Sequence, residues 1–463
     1  MTRVLLVGSG AREHAIAASL AKSPRAELYV AMSSQNPGIM KLAKDAIVVP
    51  ITDSDTVVRY ALQISAELAV VGPEAPLVNG VADALIERGI RCVGPTRKLA
   101  SLEGDKAFCR QLLDKHQIAG NPLFRVFTDP DSAEAFIKTA GPVAIKPAGL
   151  TSGKGVKVSG EDLPTKNAEL EYVRQIFDNK IGGVPKLVVE ELLDGEEYSL
   201  QAFVDGREVH VMPLVQDHKR AHEEDSGPNT GGMGSYSDND HLLPFVSKED
   251  LETRRRIMAD VINAVADDFG EEYRGVLYGQ FMLARSVTED KPTPKLIEFN
   301  CRFGDPEAMN VLSILSDHVD FLDLCERVAD GNLSSKAISF RNKATVCKYL
   351  VPAGYPESAR GGEVISVDEA STVGSGALLY YASVDLRDGS IVTTKSRTIG
   401  LVGIGDTIQE AEKIAEQATG YFSGPLRHRG DIGTDRLVQK RIEHVKSLKQ
   451  PRLFASAVEA GIR

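Results

Sequence analysis

Apolar positions fall in short runs, and their spacing changes along the chain. In residues 1–100, runs at 4–7, 28–31, 47–49, 68–71 and 91–93 read as strands, with helical spacing at 12–21, about 55–66 and 81–88 between them. Strands alternating with helices predict a parallel sheet. After Pro95 a helix at 105–116 leads into strands at 143–146, 155–158, 186–190, 198–204 and 208–213, with Asp205-Gly206 as a hairpin turn. The polar, glycine-rich stretch 216–240 predicts a lid or substrate loop. Helices at 248–269 and 306–329 flank strands at 276–284 and 295–301. Four strands at 344–350, 362–366, 377–384 and 391–402 precede a helix at 407–420. The expected domains are 1–101, 102–330 with a flap subdomain at about 120–195, 331–440, and a tail at 441–463.

Composition narrows the class. A chain of 463 residues has room for about three domains of roughly 100–200 residues. With 42% hydrophobic and 26% charged residues it is an ordinary globular composition. No apolar run reaches the roughly 18 residues of a membrane span. The first apolar stretch ends in glycines and reads as a buried strand rather than a signal peptide. The five cysteines, Cys92, Cys109, Cys301, Cys325 and Cys347, show no CxxC spacing, so a reducing, cytoplasmic setting without structural zinc is expected. A net charge of −11 and the absence of Trp argue against a nucleic-acid partner.

The chemistry concentrates in a few stretches. In 296–307, Leu-Ile-Glu-Phe-Asn-Cys-Arg-Phe-Gly-Asp-Pro-Glu, strand alternation sends Ile297, Phe299 and Cys301 to a core and Glu298, Asn300 and Arg302 to the opposite face. A carboxylate and an amide oxygen there suit a hard cation such as Mg²⁺, and an arginine beside them suits a phosphate. Gly304-Asp305-Pro306 is expected to turn the chain where a site opens to solvent.

Gly8-Ser9-Gly10-Ala11-Arg12-Glu13 follows the first strand. It lacks the third glycine and the strand-two acid of a dinucleotide fingerprint, which disfavours an NAD-dependent oxidoreductase. Its two glycines, helix N–H groups and Arg12 suit a monophosphate instead, and Glu74 at another strand end suits a sugar. Lys146 and Lys154 bracket a glycine-rich flap that suits a polyphosphate. Backbone near 191–193 suits a purine edge and Glu197 a ribose.

Together, Gln-Asp-His-Lys-Arg at 216–220, Gly-Pro-Asn-Thr-Gly-Gly-Met-Gly at 227–234, Leu-Glu-Gly-Asp-Lys at 102–106 and the 297–307 stretch resemble the ATP-grasp superfamily. Within it they resemble the glycinamide ribonucleotide synthetase family. Two departures stand out: Ala11 where the common bacterial pattern has Gly, and Lys146-Pro147-Ala148-Gly149 where it has Lys-Ala-Asp-Gly. Residues 285–294 look like an insertion remote from the site. The resemblance implies α/β and α+β domains: a parallel-sheet N-terminal domain, an ATP-grasp core with a glycine-rich flap, and a β-rich C-terminal domain. It implies an ATP-dependent ligase joining glycine to 5-phosphoribosylamine through glycyl phosphate, expected as a monomer or weak homo-oligomer. The nearest alternative is a related ATP-grasp ligase or carboxylase.

By that resemblance Gln280, Glu298 and Asn300 hold Mg²⁺ or Mn²⁺. Lys106, Lys146 and Lys154 hold ATP phosphates, and Glu190, Leu193 and Glu197 hold the nucleoside. Arg302, Asp305 and Lys154 serve the chemistry, with Asp305 orienting glycine's ammonium. Gly8, Gly10, Arg12, Glu74, Asp217, Lys219 and Asn229 bind the substrates.

Overall fold

The computed structural model describes residues 1–151, 155–286, 289 and 291–450. The N-terminal part is a parallel five-stranded sheet of β1 (Thr2–Val7), β2 (Ala26–Met32), β3 (Asp45–Val48), β4 (Leu68–Val71) and β5 (Arg91–Val93). Its order is β3-β2-β1-β4-β5. Val4 to Val7 and Leu68 to Val71 are all buried, as strands covered by helices on both faces must be. The strand order reverses at β1. The crevice beyond the carboxyl ends of β1 and β4 is therefore the switch point where such sheets take ligands.

The flap subdomain is a separate antiparallel sheet of β6 (Phe124–Phe127), β7 (Val143–Pro147), β8 (Lys157–Val158) and β9 (Leu187–Glu191). It has its own core, which includes Phe136, Ile145, Tyr172 and Val189. Ala148, where the resemblance leads one to expect a carboxylate, is buried against Ala107 and Val188 in a small apolar cluster.

β10 (Asp194–Gly206) leaves the flap and pairs with β11 (Val209–Val211) around the expected turn. The 216–240 stretch is not a free lid. It folds into β12 (Gln216–Asp217), β13 (Arg220–His222), β14 (Ser226–Asn229) and β15 (Gly234–Ser237), and β15 is buried. The central sheet is completed by β16 (Tyr273–Arg285) and β17 (Thr293–Asn300), in the order β11-β10-β16-β17. β15 pairs with β18 (Ala344–Pro352), so the third sheet runs across the boundary expected at 330. A Cβ on Gly234 would meet the Cys347 carbonyl at 2.3 Å, so this glycine allows two strands to close together.

The expected helix 306–329 is two helices, Glu307–Ser313 and Phe321–Asp330. Asp320 starts the second by accepting the Leu322 N–H at 2.9 Å. The helix Asp435–Leu448 crosses the expected boundary at 441 and packs on β10 and β16. The expected tail from 451 onward lies outside the described residues. Among the described residues, no helix is long and apolar enough to cross a membrane.

Candidate active site

The register of the central sheet builds one polar face. Ser199 on β10 lies opposite Gln280 on β16, and Gln280 lies opposite Glu298 on β17; one step along, Gln201, Tyr278 and Asn300 form a second row. Phe299 and Cys301 go to the core as expected. Ile297 does not: a bulge at Gln280/Phe281 makes it the extra residue and leaves it half-buried. Its carbonyl, turned out of the ladder, accepts from Arg110 Nη2 at 2.7 Å and Lys146 Nζ at 3.2 Å.

Among the described residues, no hydrogen-bond or ion-pair partner is found for the Glu298 carboxylate. Burial would raise its pKa, but Lys219, Lys106, Lys146 and Arg302 outweigh this and hold it below the usual value. Gln280 is fully buried; its amide oxygen accepts from the Tyr278 hydroxyl, and its Nε2 donates to Asp217 Oδ1 at 3.4 Å. Asn300 Oδ1 accepts from Arg302 Nη2 at 2.9 Å. These are three oxygen donors on one face, one of them a bare carboxylate, which is the donor set a hard divalent cation takes. The residues therefore fit the metal that the sequence resemblance implies.

Lys106 and Lys146, two of the lysines expected on ATP phosphates, lie beside this face. Lys106 Nζ donates to the Gly149 carbonyl at 3.1 Å. Lys146 Nζ lies 2.8 Å from Glu190 Oε2, and Arg110 grips the same carboxylate through Nε at 2.7 Å and Nη2 at 3.0 Å. Burial would raise Glu190, yet Arg110 and Lys146 keep it below the usual carboxylate value. Glu190, expected at the nucleoside, is thus consumed by a buried ionic triad. Glu197 lies 2.9 Å from Lys219 Nζ at the rim. Leu193 is half-buried in the link between β9 and β10, and Asn229 is half-buried opposite Arg220 in the β13–β14 hairpin. Lys154 lies outside the described residues.

Asp217 and Glu307 form a second acidic group. Burial raises Asp217, against Lys219. Burial, then the nearby Asp217, pushes Glu307 up to about 7. Glu307 Oε1 lies 2.8 Å from the Tyr278 hydroxyl, competing with Gln280 for its one proton.

The turn after β17 is buried rather than open. Gln201 accepts the Gly304 N–H at 2.8 Å, and Glu103 accepts the Cys301 N–H at 2.6 Å. Arg302 spans Glu103 at 3.0 Å and Glu74 at 3.3 Å. Burial pushes Glu103 up to about 7 despite Arg302, whereas Glu74, half-buried, is carried down to about 2 by Arg302 and Arg12 against its own desolvation. Asp305, expected to be available for an ammonium group, is already paired. Arg397 reaches it at 3.0 Å, and the Tyr349 hydroxyl donates to its other oxygen.

Gly8 and Gly10 do end β1 in a cradle at the switch point, but Glu13 sits in it. A Cβ on Gly8, at φ +128°, would meet Glu13 Cγ at 2.5 Å, and one on Gly72 would meet Glu13 Oε1 at 2.3 Å. Glu13 Oε2 accepts the Gly10 N–H at 2.6 Å. Arg12, expected on a phosphate, is buried with Nε on Glu13 at 2.6 Å and Nη1 on the Phe303 carbonyl at 3.0 Å. A carboxylate of the chain already matches its charge.

Sequence reasoning missed Glu103, Arg110, Gln201, Tyr278, Glu307, Tyr349 and Arg397. Glu103 and Glu307 stood inside quoted motifs. Tyr278 shares a strand face with Gln280, two residues on, by simple alternation; the others are single polar residues brought in from distant positions, with no local signal.

The overall arrangement is that of the ATP-grasp fold. It is shared with the biotin carboxylase domain of Hydrogenobacter thermophilus 2-oxoglutarate carboxylase at a TM-score of 0.69 and 17% identity, over 96% of this chain and 94% of that one. The phosphoribosylglycinamide synthetase family models match in chain order, as N domain (residues 2–103), ATP-grasp (A) domain (104–308) and C domain (345–435), and the chain belongs to that family. It is 51% identical to phosphoribosylamine–glycine ligase of Methanopyrus kandleri over 456 residues, 97% of this chain and all of the relative. It superposes on the Thermotoga maritima phosphoribosylamine–glycine ligase at a TM-score of 0.77 with 28% identity, over 93% of this chain and 100% of that one.

Proposed function

We propose that this chain is a phosphoribosylamine–glycine ligase of purine biosynthesis: ATP, glycine and 5-phosphoribosylamine give ADP, phosphate and glycinamide ribonucleotide. The observation that carries the reading is the face bearing Gln280, Glu298 and Asn300, flanked by Lys106, Lys146, Lys219 and Arg302, in a chain that matches all three family models.

A carboxylate is a poor electrophile. Phosphorylation of glycine by ATP gives glycyl phosphate, and the sugar amine then displaces phosphate from its carbonyl carbon. Such chemistry relies on positioned cations and exclusion of water. Glu298, Gln280 and Asn300 hold the divalent cation, Mg²⁺ or Mn²⁺. When bound, it neutralises phosphate charge. Lys106, Lys146 and Lys154 meet the ATP phosphates; Leu193 backbone and Glu197 meet the nucleoside. Glu190 keeps Lys146 and Arg110 in place rather than touching the base.

Arg302, held by Glu103 and Glu74, stabilises the phosphoryl group in transfer. Asp217 and Glu307 take the ammonium of glycine, because a cation there relieves two crowded, buried carboxyl groups. Asp305 then supports the turn, and Lys219 serves Asp217 and Glu197. The ribosylamine lies at the switch point with its phosphate beyond Ser9, outside the cradle that Glu13 fills, and its sugar toward Glu74, while Arg12 braces the turn through Phe303. Asn229 borders the substrate side of the hairpin. A single copy supplies every group named, and a cytoplasmic setting fits the phosphorylated substrates.

The test is ADP release with 5-phosphoribosylamine generated in place. Release should require both glycine and the ribosylamine. Stimulation by bicarbonate in place of glycine would point to a carboxylase and overturn the proposal.

A further inference from the structure

His444 lies on the helix Asp435–Leu448, on the side of β10 away from the polar face. Its Nδ1 is 2.6 Å from Glu196 Oε1, and its Nε2 is 3.1 Å from Asp194 Oδ1. Carboxylate oxygens only accept, so both contacts are made together only by the doubly protonated ring. Arg441, one turn earlier, lies 3.4 Å from the other Glu196 oxygen and also pairs with Asp225. Gln216 adds a bond from Nε2 to the Glu197 carbonyl at 2.9 Å. On β16, opposite Asp194, Arg285 donates to the Gln450 carbonyl at 2.7 Å. The helix and Gln450 just beyond its end therefore pin both strands where the flap joins the central sheet.

We propose that His444 and Arg441 are positioning residues for the nucleotide: by clamping Asp194 and Glu196 they fix the Leu193 backbone and the Glu197 carboxylate that flank them. This rests on the reading of Leu193 and Glu197 as nucleoside contacts. The charged groups around His444 are Asp194 and Glu196 on β10, Arg285 on β16, Arg441 on its own helix, and Asp225 on the hairpin that Arg441 holds. The hydrogen bond with Glu196 raises the His444 pKa above its ordinary value, against partial burial. The clamp is thus complete at low pH and is lost as pH rises through that raised value.

The experiment measures affinity for ADP in magnesium by calorimetry between pH 6 and 9, on the full chain. Wild type, His444→Gln, His444→Lys and Glu197→Gln are compared. Wild-type affinity should fall about 3- to 10-fold across the range, the size of one charge-assisted contact acting indirectly. His444→Gln should bind weakly throughout, and His444→Lys, which keeps a cation, should bind tightly with a flattened profile. A His444→Gln protein that matches wild type at pH 6, or a His444→Lys protein that keeps the wild-type slope, overturns the clamp. Weakened Glu197→Gln beside unchanged His444 variants overturns the clamp alone. Unchanged Glu197→Gln overturns the nucleoside reading, and the clamp with it.

Discussion

Arg397 Nη2 lies 3.0 Å from Asp305 Oδ2, and the same guanidinium donates to the Asp305 carbonyl at 2.8 Å. It also reaches the Gly231 and Gly232 carbonyls at 2.6 and 3.2 Å and stacks over the Tyr349 ring. One side chain of the β-rich third region thus ties the turn after β17 to the glycine-rich segment. The third region is not a passive cover. It fixes the backbone from which Arg302 and Glu307 project.

Arg397→Ala should therefore damage catalysis without touching substrate. It leaves a carboxylate and three carbonyls short of a donor, a loss of about 3 kcal/mol for a pair this enclosed. Turnover should fall roughly 10- to 100-fold, with a lower melting temperature. Arg397→Lys, which keeps one bond to Asp305, should recover part of both. Steady-state kinetics with thermal melts checks this; wild-type turnover in Arg397→Ala would remove the bracing role.

Glu298→Gln should abolish turnover while the fold survives. The carboxylate makes no hydrogen bond or ion pair among the described residues, so neutralising it removes only its long-range attraction to the four cations around it, a modest loss of stability. Mn²⁺ binding in the presence of ATP, followed by electron paramagnetic resonance, should weaken by at least about tenfold, since a carboxylate carries most of the charge in such a site. Unchanged Mn²⁺ affinity would reassign the metal site.

The strand alternation at 298–302 was legible because one face had to be polar wherever the other met a core. The bulge at Ile297 was not, since nothing local distinguishes an inserted residue from a regular one. The glycines of 216–240 suggested mobility, but at Gly234 the absent side chain serves close strand packing. Gly8 and Gly10 read as room for a phosphate, and the room is taken by Glu13 from three to five residues away. The break in 306–329 had a sequence signal, Asp320 ahead of a fresh apolar period. Arg110 and Arg397 had none, because their partners lie far off in sequence.

The Arg110–Glu190–Lys146 triad makes a stability prediction that separates it from the nucleoside contact read from sequence. Arg110 and Glu190 are both buried and joined by two hydrogen bonds. Arg110→Ala leaves Glu190 with only Lys146 and strips the Ile297 carbonyl of one donor. Removing one partner of such a pair costs about 3–5 kcal/mol. Urea unfolding should show that loss, centred on the flap and β17. If Glu190 instead served mainly to bind nucleotide, stability would change by under about 1 kcal/mol.

Burial of a neutral histidine gives the acid limit of the fold. His14 is packed between Tyr380 and Tyr381, and its Nδ1 accepts the Tyr381 N–H at 2.9 Å, joining the N-terminal sheet to the third region. Burial, with Lys41 adding to it and Glu369 opposing, pushes its pKa down to about 4. A folded-state pKa below the unfolded value means that the folded protein resists protonation. The stabilisation is complete above about pH 6.5 and drains away as pH falls towards 4, about 3 kcal/mol in all. His218, pushed by burial and then by Arg441 and Arg429 down to about 3, adds a loss of its own. Subtracting a His14→Gln variant, whose amide oxygen can still accept the Tyr381 N–H, isolates the His14 part. The wild-type advantage over that variant should shrink from pH 7 to pH 4 in urea unfolding. Parallel curves over that range would mean that His14 takes up its proton without leaving its niche.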